Sequence, residues 1–264
     1  MSAETSLSLN LRLRRILCGP PRYIFLAAMP KSGSTFLSRT LVKVTGYERF
    51  YMGSAYWNTE QELYLPRLVD AYGRGTVTQQ HPRGNRVNRD LMLQLGIRPV
   101  ILIRDIHDIV VSVRDHLISE SVEKLPGVYA GPDFLQLPKK DQLEFIISHC
   151  LPWFFGFYVF WFLADQRNCI ETLWLSYEEM TANWEGSVKK ILNFYGIQRT
   201  TEEIRRALEA VRGRPRRETR VNVGVAGRGA TLLSERQKAE IERLASFYPS
   251  VDFSRIGIPS HTPV

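Results

Sequence analysis

The stretch Tyr23–Leu37, YIFLAAMPKSGSTFL, decides the fold of this chain. Its first six residues form a short apolar run with β-forming side chains, which is typical of a buried strand. Small residues follow, and then Leu37, Leu41 and Val44 recur at helical spacing. We therefore predict a strand, a tight turn and a helix, in this order.

Three further runs predict strands, at Thr76–Gln80, Pro99–Ile103 and Thr172–Leu175. Helical patterns accompany them: one runs through His116, one spans Asn183–Tyr195 before Gly196, and one spans Ser234–Phe247 with a capping-box pattern at Ser234 and Gln237. Strands that alternate with helices predict an α/β fold of three layers, with a central, mostly parallel sheet flanked by helices. Such sheets bind ligands at the carboxyl ends of their strands.

The composition is that of a globular protein, with 44% hydrophobic and 23% charged residues among 264. No linker, repeat or low-complexity tract divides the sequence, so we predict one domain over residues 1–264, with a basic N-terminal extension at 1–21. The net charge of +8 favours an anionic partner, whether nucleic acid, an acidic membrane surface or a phosphorylated small molecule. The basic clusters at 12–15 and 205–220 are equally consistent with solvated surfaces.

The cysteines and histidines indicate a reduced protein without a metal site. Cys18, Cys150 and Cys169 are scattered, which predicts a cytoplasmic location, and the five histidines show no metal-binding pattern. No long apolar stretch follows the N-terminal arginines, so we predict no secretory signal. The apolar run Trp153–Ala164 is shorter than the roughly 20 residues that cross a bilayer, and we interpret it as a buried helix. The alternative is an apolar surface for a lipid-like acceptor or for peripheral membrane contact.

The turn after the first predicted strand has the chemistry of a phosphate site. A helix N-terminus offers backbone N–H groups and a partial positive charge, and the turn 31–35, KSGST, adds a lysine, hydroxyls and a glycine. The lysine precedes the glycine, unlike the Walker motif GxxxxGK[ST], and no clear magnesium-binding partner is present. These differences disfavour a kinase. The alternative is an ordinary capped helix with an exposed lysine.

A second phosphate site is predicted after the strand Pro99–Ile103. Arg104, Asp108 and Ser112 are spaced four apart, which places the last two on one helix face with Arg104 at its start. The alternative is a simple ion pair between Arg104 and Asp108. Together the two sites predict a ligand with two separated phosphate-like groups, which a nucleotide substituted at its 3′ and 5′ positions would fit.

The two motifs resemble those of a known enzyme family. YIFLAAMPKSGSTFL resembles the 5′-phosphosulfate loop of sulfotransferases that use PAPS (3′-phosphoadenosine-5′-phosphosulfate), and ILIRDIHDIVVS resembles their 3′-phosphate site. The resemblance spans nearly the whole chain and implies a P-loop-like fold. It implies roles in donor binding for Lys31, Ser32, Gly33, Ser34, Thr35, Arg104, Ser112 and Tyr177, the last of these near the adenine. Phe36 stands where cytosolic members usually have a tryptophan that stacks on adenine.

His81 is the predicted general base. It follows a predicted strand and precedes the 3′-phosphate motif, as the catalytic histidine of the resembling family does. An imidazole titrates near neutral pH and can accept the acceptor's proton, while Lys31 can stabilise the leaving oxygen. Because some carbohydrate sulfotransferases use a carboxylate instead, Glu48 and Glu60 are the alternative bases.

Two segments depart from the family pattern or concern the acceptor. A late loop of the family carries Arg-Lys-Gly, where this chain has Asn222, Val223 and Gly224. Backbone amides of this loop could still bind phosphate, with Arg220 or Arg228 supplying charge, or the loop could be a surface turn. The departures, with Phe36, suggest a branch distinct from the animal phenol and steroid enzymes.

The aromatic-rich stretch 50–75, including Trp57, would line the acceptor pocket or pack in the core.

The sequence therefore predicts a PAPS-dependent sulfotransferase that releases PAP (3′-phosphoadenosine 5′-phosphate). The acceptor would be a hydroxyl or amine of a small-molecule, carbohydrate or lipid-like compound, and no metal is expected. The alternatives are a nucleotide-dependent kinase, which would need magnesium, and a basic nucleic-acid-binding protein, for which no known motif is present.

Overall fold

The structure is a computed structural model that describes residues 22–54, 61–120, 128–215, 218 and 226–259. The predicted basic extension at 1–21 lies outside the described residues. Trp57 and Glu60 also lie outside them, as do Arg220, Asn222, Val223 and Gly224.

Strands and helices alternate along the chain. The strands are β1 (Arg22–Ala28), β2 (Glu48–Arg49), β3 (Gly75–Gln80), β4 (Pro99–Ile103) and β5 (Leu173–Ser176). The α-helices are α1 (Ser34–Thr45), α2 (Leu65–Ala71), α3 (Arg86–Leu95), α4 (Ile106–Ser119), α5 (Lys139–Phe145), α6 (Leu151–Gln166), α7 (Tyr177–Ala182), α8 (Trp184–Phe194), α9 (Thr201–Arg212), α10 (Arg228–Leu232) and α11 (Glu235–Ser246). The 3-10 turns are Pro132–Gln136 and Ser254–Ile256, and Ile146–Cys150 is a π-helical segment. The four predicted strands are confirmed to within one residue at each end.

Helix ends follow the predicted signals. The hydroxyl of Ser234 accepts from the backbone N–H of Gln237, and the Gln237 side chain reaches back to the N–H of Ser234, which confirms the capping box at the start of α11. Gly196 has a φ of 69° just after α8, a left-handed conformation that glycine adopts without strain.

All five strands form one parallel sheet in the order β2-β3-β1-β4-β5, which confirms the predicted α/β architecture. From β1 the chain builds one side of the sheet through β2 and β3, and then crosses to build the other side through β4 and β5. The strand order therefore reverses between β1 and β4. Ligands bind parallel sheets at such a reversal, in the crevice outside the carboxyl ends of the strands.

Both faces of the sheet are covered, which explains why β1 reads as a continuous apolar run. Along β1, Tyr23, Phe25 and Ala27 pack into one core with α3, α4 and α6. The alternate residues, Ile24, Leu26 and Ala28, pack into a second core with α1, α8 and α9.

Helices α5 and α6 and the π-helical segment form one helical run, Lys139–Gln166, of 28 residues. The expectation that the apolar run is too short to cross a membrane was wrong in length, since Trp153–Ala164 continues into flanking helical turns. Among the described residues this is the one helix long and apolar enough to span a bilayer, but 61% of its most apolar window is buried inside the protein. Phe154 and Trp161 are fully buried, as expected of a core helix.

Candidate active site

Four turns meet at the carboxyl edge of the sheet. His81 follows β3, the turn 29–33 follows β1, Arg104 follows β4, and Tyr177 follows Ser176 at the end of β5. Neighbouring strands lie about 4.8 Å apart, so the turns form a continuous row. The structure thus brings together the predicted site residues that it describes on these turns.

The turn after β1 leads into a helix whose start no side chain caps. Gly33 adopts a left-handed φ of 78° at the N-cap of α1, without a side-chain hydrogen bond to the helix. The Ser32 hydroxyl is directed back into the turn, where it donates to the carbonyl of Met29 at 2.6 Å. Ser34 and Thr35 open the helix. An uncapped N-terminus of a 12-residue helix is suited to bind an anion through its first amides.

Lys31 has a left-handed backbone, with a φ of 70°. This conformation costs a residue other than glycine about 1–2 kcal/mol, and such strain is typical of functional turns that their surroundings hold in place. The carbonyl of Lys31 accepts a hydrogen bond from Nη1 of Arg104 at 3.1 Å. The contact joins the two predicted phosphate sites across the reversal between β1 and β4.

The alternative interpretation of the second motif is also realised, because Arg104 and Asp108 form an ion pair. Nη2 of Arg104 lies 3.1 Å from Oδ2 of Asp108, and the two residues are only 6% and 1% exposed. A guanidinium carries five N–H donors, so this pair is compatible with phosphate binding by the same arginine. Ser112, one helical turn further, is also buried.

Asp108 is the connecting point between α4 and the late glycine-containing turn. Its Oδ2 accepts from the N–H of Gly227 at 2.9 Å, and its Oδ1 accepts from the N–H of Gly229 at 2.7 Å. A Cβ on Gly229 would lie 2.7 Å from the backbone nitrogen of Asp108, so only glycine allows this approach. Arg228, between them, forms an ion pair with Asp115 at 2.8 Å. Its predicted role at the 3′-phosphate therefore stays a prediction, with Asp115 as a competing partner.

Two partly buried acids join the turns after β4 and β5. The N–H of Asp105 donates to Glu178 at 3.2 Å, and Asp105 in turn caps α4 by accepting from His107 and Asp108. Burial raises the pKa of Glu178. Burial also acts to raise the pKa of Asp105, but hydrogen bonds and charge from its helical neighbours outweigh it, so the pKa of Asp105 is lowered.

Aromatic rings surround Gly33. A Cβ at Gly33 would lie 3.1 Å from the Tyr177 ring, a tight contact, and 3.6 Å from Trp184, and the left-handed backbone of Gly33 also disfavours other residues. Arg104 lies over the Tyr177 ring, with its Cζ 4.1 Å from the centroid. Burial raises the pKa of Tyr177, with Arg104 opposing the rise. Phe36 is 5% exposed and meets Trp184 edge-on.

His81 is oriented by two hydrogen bonds. Its Nδ1 lies 2.6 Å from the carbonyl of Ala28, the last residue of β1. A carbonyl can only accept, so Nδ1 carries the proton, and in the neutral imidazole Nε2 then carries the lone pair. The backbone N–H of His81 donates to the side chain of Gln61 at 3.1 Å. The imidazole is therefore tied to the beginning of the predicted phosphate turn, in the tautomer of a base acting through Nε2.

The positioning of His81 depends on residues that the sequence did not reveal. The buried side chain of Gln80 accepts from the N–H of Met52 at 2.7 Å and donates to the carbonyl of Gln61 at 3.3 Å. Indole Nε1 of Trp161 donates to the carbonyl of Pro82 at 3.0 Å. Single polar residues 20 to 80 positions apart carry no local pattern, so no sequence signal identified these contacts.

The alternative base Glu48 lies away from the carboxyl edge of the sheet. Glu48 pairs in register with Thr76, near the amino end of β3, whereas His81 follows the carboxyl end of that strand. Its carboxylate forms an exposed ion pair with Arg74. Within the described residues, no group of three or more His, Cys, Asp or Glu side chains could hold a metal ion.

Comparisons with known proteins agree with this geometry. Two solved structures share the fold: a mouse sulfotransferase complexed with PAP (TM-score 0.62, 16% identity, covering 89% of this chain and 87% of that one), and retinol dehydratase in complex with androsterone and inactive cofactor PAP (TM-score 0.58, 17% identity, covering 92% and 83%). Among curated protein sequences, none matches this chain. Residues 21–223 match the family model of the sulfotransferase domain. The match covers well over half of the chain, which therefore belongs to the sulfotransferase domain family.

Proposed function

We propose that this protein transfers the sulfuryl group of PAPS to a hydroxyl or amine of a small-molecule acceptor and releases PAP. The observation that carries the proposal is the contact between the Lys31 carbonyl and Arg104 at 3.1 Å. It unites an uncapped helix N-terminus with a buried arginine at the reversal between β1 and β4, where a ligand with two phosphate groups fits.

The donor would lie across these two turns. Lys31, Gly33, Ser34 and Thr35 would bind the 5′-phosphosulfate through the lysine charge, the hydroxyls and the first amides of α1. Arg104 and Ser112 would bind the 3′-phosphate. The planar guanidinium of arginine is suited to donate two parallel hydrogen bonds to a phosphate. The hydrogen bond between the two turns holds them together, which limits the reorganisation that binding requires.

His81 would act as the general base. Its Nε2 accepts the proton of the acceptor as the new oxygen–sulfur or nitrogen–sulfur bond forms. The bond between the sulfur and the 5′-phosphate oxygen breaks, and its electron pair stays on that oxygen, which Lys31 and the N-terminus of α1 stabilise. The step needs no metal ion and no covalent intermediate on the protein.

The acceptor is proposed to be a small molecule, with carbohydrate and lipid-like compounds as further candidates. Retinol dehydratase, one of the similar structures, was solved with androsterone and in another case with retinol. In the aromatic-rich stretch, Tyr72 is 8% exposed and packs in the core, whereas Tyr64 is 45% exposed. A lining role is therefore proposed for the exposed part of the stretch only.

We infer a cytoplasmic location for the reaction from the scattered cysteines.

The alternatives receive less support. The lysine of the phosphate turn precedes its glycine, unlike that of a kinase, and would have to act without the usual magnesium-binding partner. The arginines of the basic cluster on α9, Arg205 and Arg206, are exposed and pair with Glu185 and Glu202, as expected of a solvated surface rather than a nucleic-acid footprint.

Calorimetric titration with PAP in the absence of metal tests the donor assignment, with AMP and ATP as reference ligands. We expect PAP to bind much more tightly than AMP, which lacks the 3′-phosphate. Arg104→Ala should weaken PAP binding about 10- to 100-fold, because hydrogen bonds to charged groups are worth about 1.5–3 kcal/mol each. Arg104→Lys, which keeps the charge beside Asp108, provides a second variant if the alanine protein does not fold.

Arg98→Ala is the matched control for this titration. Arg98 also forms an ion pair, with Glu171 at 3.1 Å, but it precedes β4 and so lies at the opposite edge of the sheet. PAP binding should be unchanged in this variant. A preference for ATP with magnesium would instead support a kinase, and steeply salt-dependent binding of DNA or RNA would support a nucleic-acid-binding protein.

A further inference from the structure

We propose that Trp184 is the residue on which the nucleobase of the donor stacks, and that Phe36 supports Trp184 by packing against its ring. This inference rests on the proposed PAPS donor. It concerns a tryptophan that the sequence motifs do not include, since Trp184 lies outside the phosphate turns and begins α8.

Three aromatic rings surround the phosphate turn. The rings of Phe36 and Trp184 meet with centroids 4.6 Å apart at an interplanar angle of 62°, an edge-to-face contact. A Cβ on Gly33 would lie 3.1 Å from Tyr177 and 3.6 Å from the indole of Trp184. All three rings therefore lie within reach of a ligand bound at the N-terminus of α1.

Only one of these three rings retains surface for a ligand. Phe36 is 5% exposed and Tyr177 is 7% exposed. The Tyr177 ring is also covered on one face by Arg104, whose Cζ lies 4.1 Å from the ring centroid. Trp184 is only partly buried. It also has the largest ring, and stacking on an aromatic face gains free energy with contact area.

The indole is held by its backbone and by one neighbouring ring. Asn183 caps α8 by accepting from the N–H of Gly186 at 2.8 Å, so the backbone that carries Trp184 is fixed. Phe36 lies on α1, is buried in the second core, and packs edge-on against the indole. A ring fixed in this way loses little entropy when a base stacks on it.

The position fits the geometry of a nucleotide with phosphates on both sides of its ribose. Trp184 contacts the region of the 5′ site through Gly33, and Tyr177 links the same region to Arg104 of the 3′ site. The ribose must lie between the two sites, so its base lies beside them, where Trp184 presents the exposed ring. A purine covers more of an indole than a pyrimidine does, so Trp184 should favour adenine over uracil.

Tryptophan fluorescence during titration with PAP tests the proposal, because a stacked base quenches indole emission. The chain has five tryptophans. Trp174→Phe is the matched control, since Trp174 is also partly buried but packs against Tyr158 and Arg255 in the other core. We expect PAP to quench the wild-type protein and the Trp174→Phe protein equally, and the quenching to disappear in Trp184→Phe. Trp184→Phe keeps an aromatic ring against Phe36 and should fold.

Affinity gives an independent measurement. Trp184→Ala should weaken PAP binding about 5- to 150-fold, the range of base stacking on aromatic residues. It should also reduce the preference for PAP over uridine 3′,5′-bisphosphate, an effect that a purely structural role of Trp184 would not produce.

The outcomes separate this proposal from the donor assignment. Full quenching in Trp184→Phe, with PAP still bound, would overturn the stacking role and leave the donor site intact. An unchanged preference for PAP over the uridine analogue in Trp184→Ala would do the same. Absence of PAP binding to the wild-type protein in calorimetry would overturn the proposed function, and the role of Trp184 with it.

Discussion

The donor turns and the His81 turn lie side by side but are built in different ways. At the donor turns, many contacts are local: Ser32 bonds to Met29, and Arg104 pairs with Asp108 one helical turn away. At the His81 turn, the two bonds that orient the histidine come from Ala28 and Gln61, 53 and 20 residues away.

The difference indicates how freely the sequences of the donor turns and of the His81 turn can change. A phosphate-binding turn that holds itself in place can be kept as a short motif while the rest of the chain changes. A base whose orientation depends on distant segments is coupled to them, and Gln61 belongs to the stretch for which an acceptor role is proposed. The position of the histidine therefore depends on the stretch proposed to bind the acceptor, through Gln61. Its Nδ1 hydrogen bond also connects it to β1, on the donor side.

The largest expected effect separates chemistry from binding. His81→Ala should lower the rate of sulfuryl transfer about 10²- to 10⁴-fold, because a positioned general base contributes on this scale. PAP affinity should stay close to the wild-type level, since the donor is proposed to bind through the turns after β1 and β4 and not through the histidine. The rate constant is measured at saturating donor, and affinity by calorimetry. His149→Ala is the control, because His149 is exposed and contacts Phe145 instead. A parallel loss of PAP affinity in His81→Ala would contradict the separation of the two halves.

A second variant removes the long-range connection between α4 and the late glycine-containing turn. Asp108→Asn removes the negative charge that neutralises the buried Arg104. It also leaves one acceptor oxygen where two N–H groups and Arg104 now share the two oxygens of a carboxylate. Loss of one partner of a buried ion pair costs about 3–5 kcal/mol of unfolding free energy, and donor KM should rise as Arg104 and the glycine turn separate. Urea denaturation and donor kinetics measure the two effects.

Asp115→Asn is the matched control on the same helix. Its ion pair with Arg228 is partly exposed, so its loss should cost only about 0–1 kcal/mol. Equal destabilisation by both variants would show that Asp108 is no more than an ordinary helix-surface acid.

The parts of the fold that the sequence predicted are those whose signals are contiguous. β4 has the predicted bounds Pro99–Ile103, because a fully buried parallel strand is an unbroken apolar run. β2 was missed, since its two exposed residues, Glu48 and Arg49, have no pattern and pair only with an edge of β3. The same contrast holds in the site. The phosphate turns were readable as motifs, whereas the N–H groups that donate to Asp108 lie about 120 residues away and follow from the packing of α10 on α4.

The smallest expected effect tests whether Gln61 positions the base. Gln61→Ala removes the acceptor for the His81 N–H and should lower kcat by up to about tenfold, since one hydrogen bond is worth about 0.5–1.5 kcal/mol. Gln61→Glu keeps an acceptor but places a negative charge at the backbone N–H of His81, and a negative charge near the imidazole favours its protonated form and raises its pKa. Because the base must be neutral to act, the acidic limb of the pH–rate profile should move to higher pH in Gln61→Glu, while Gln61→Ala lowers the profile without moving it in this direction. Identical profiles for the two variants would mean that Gln61 only supports the fold of its segment, and that the β1 carbonyl of Ala28 alone orients His81.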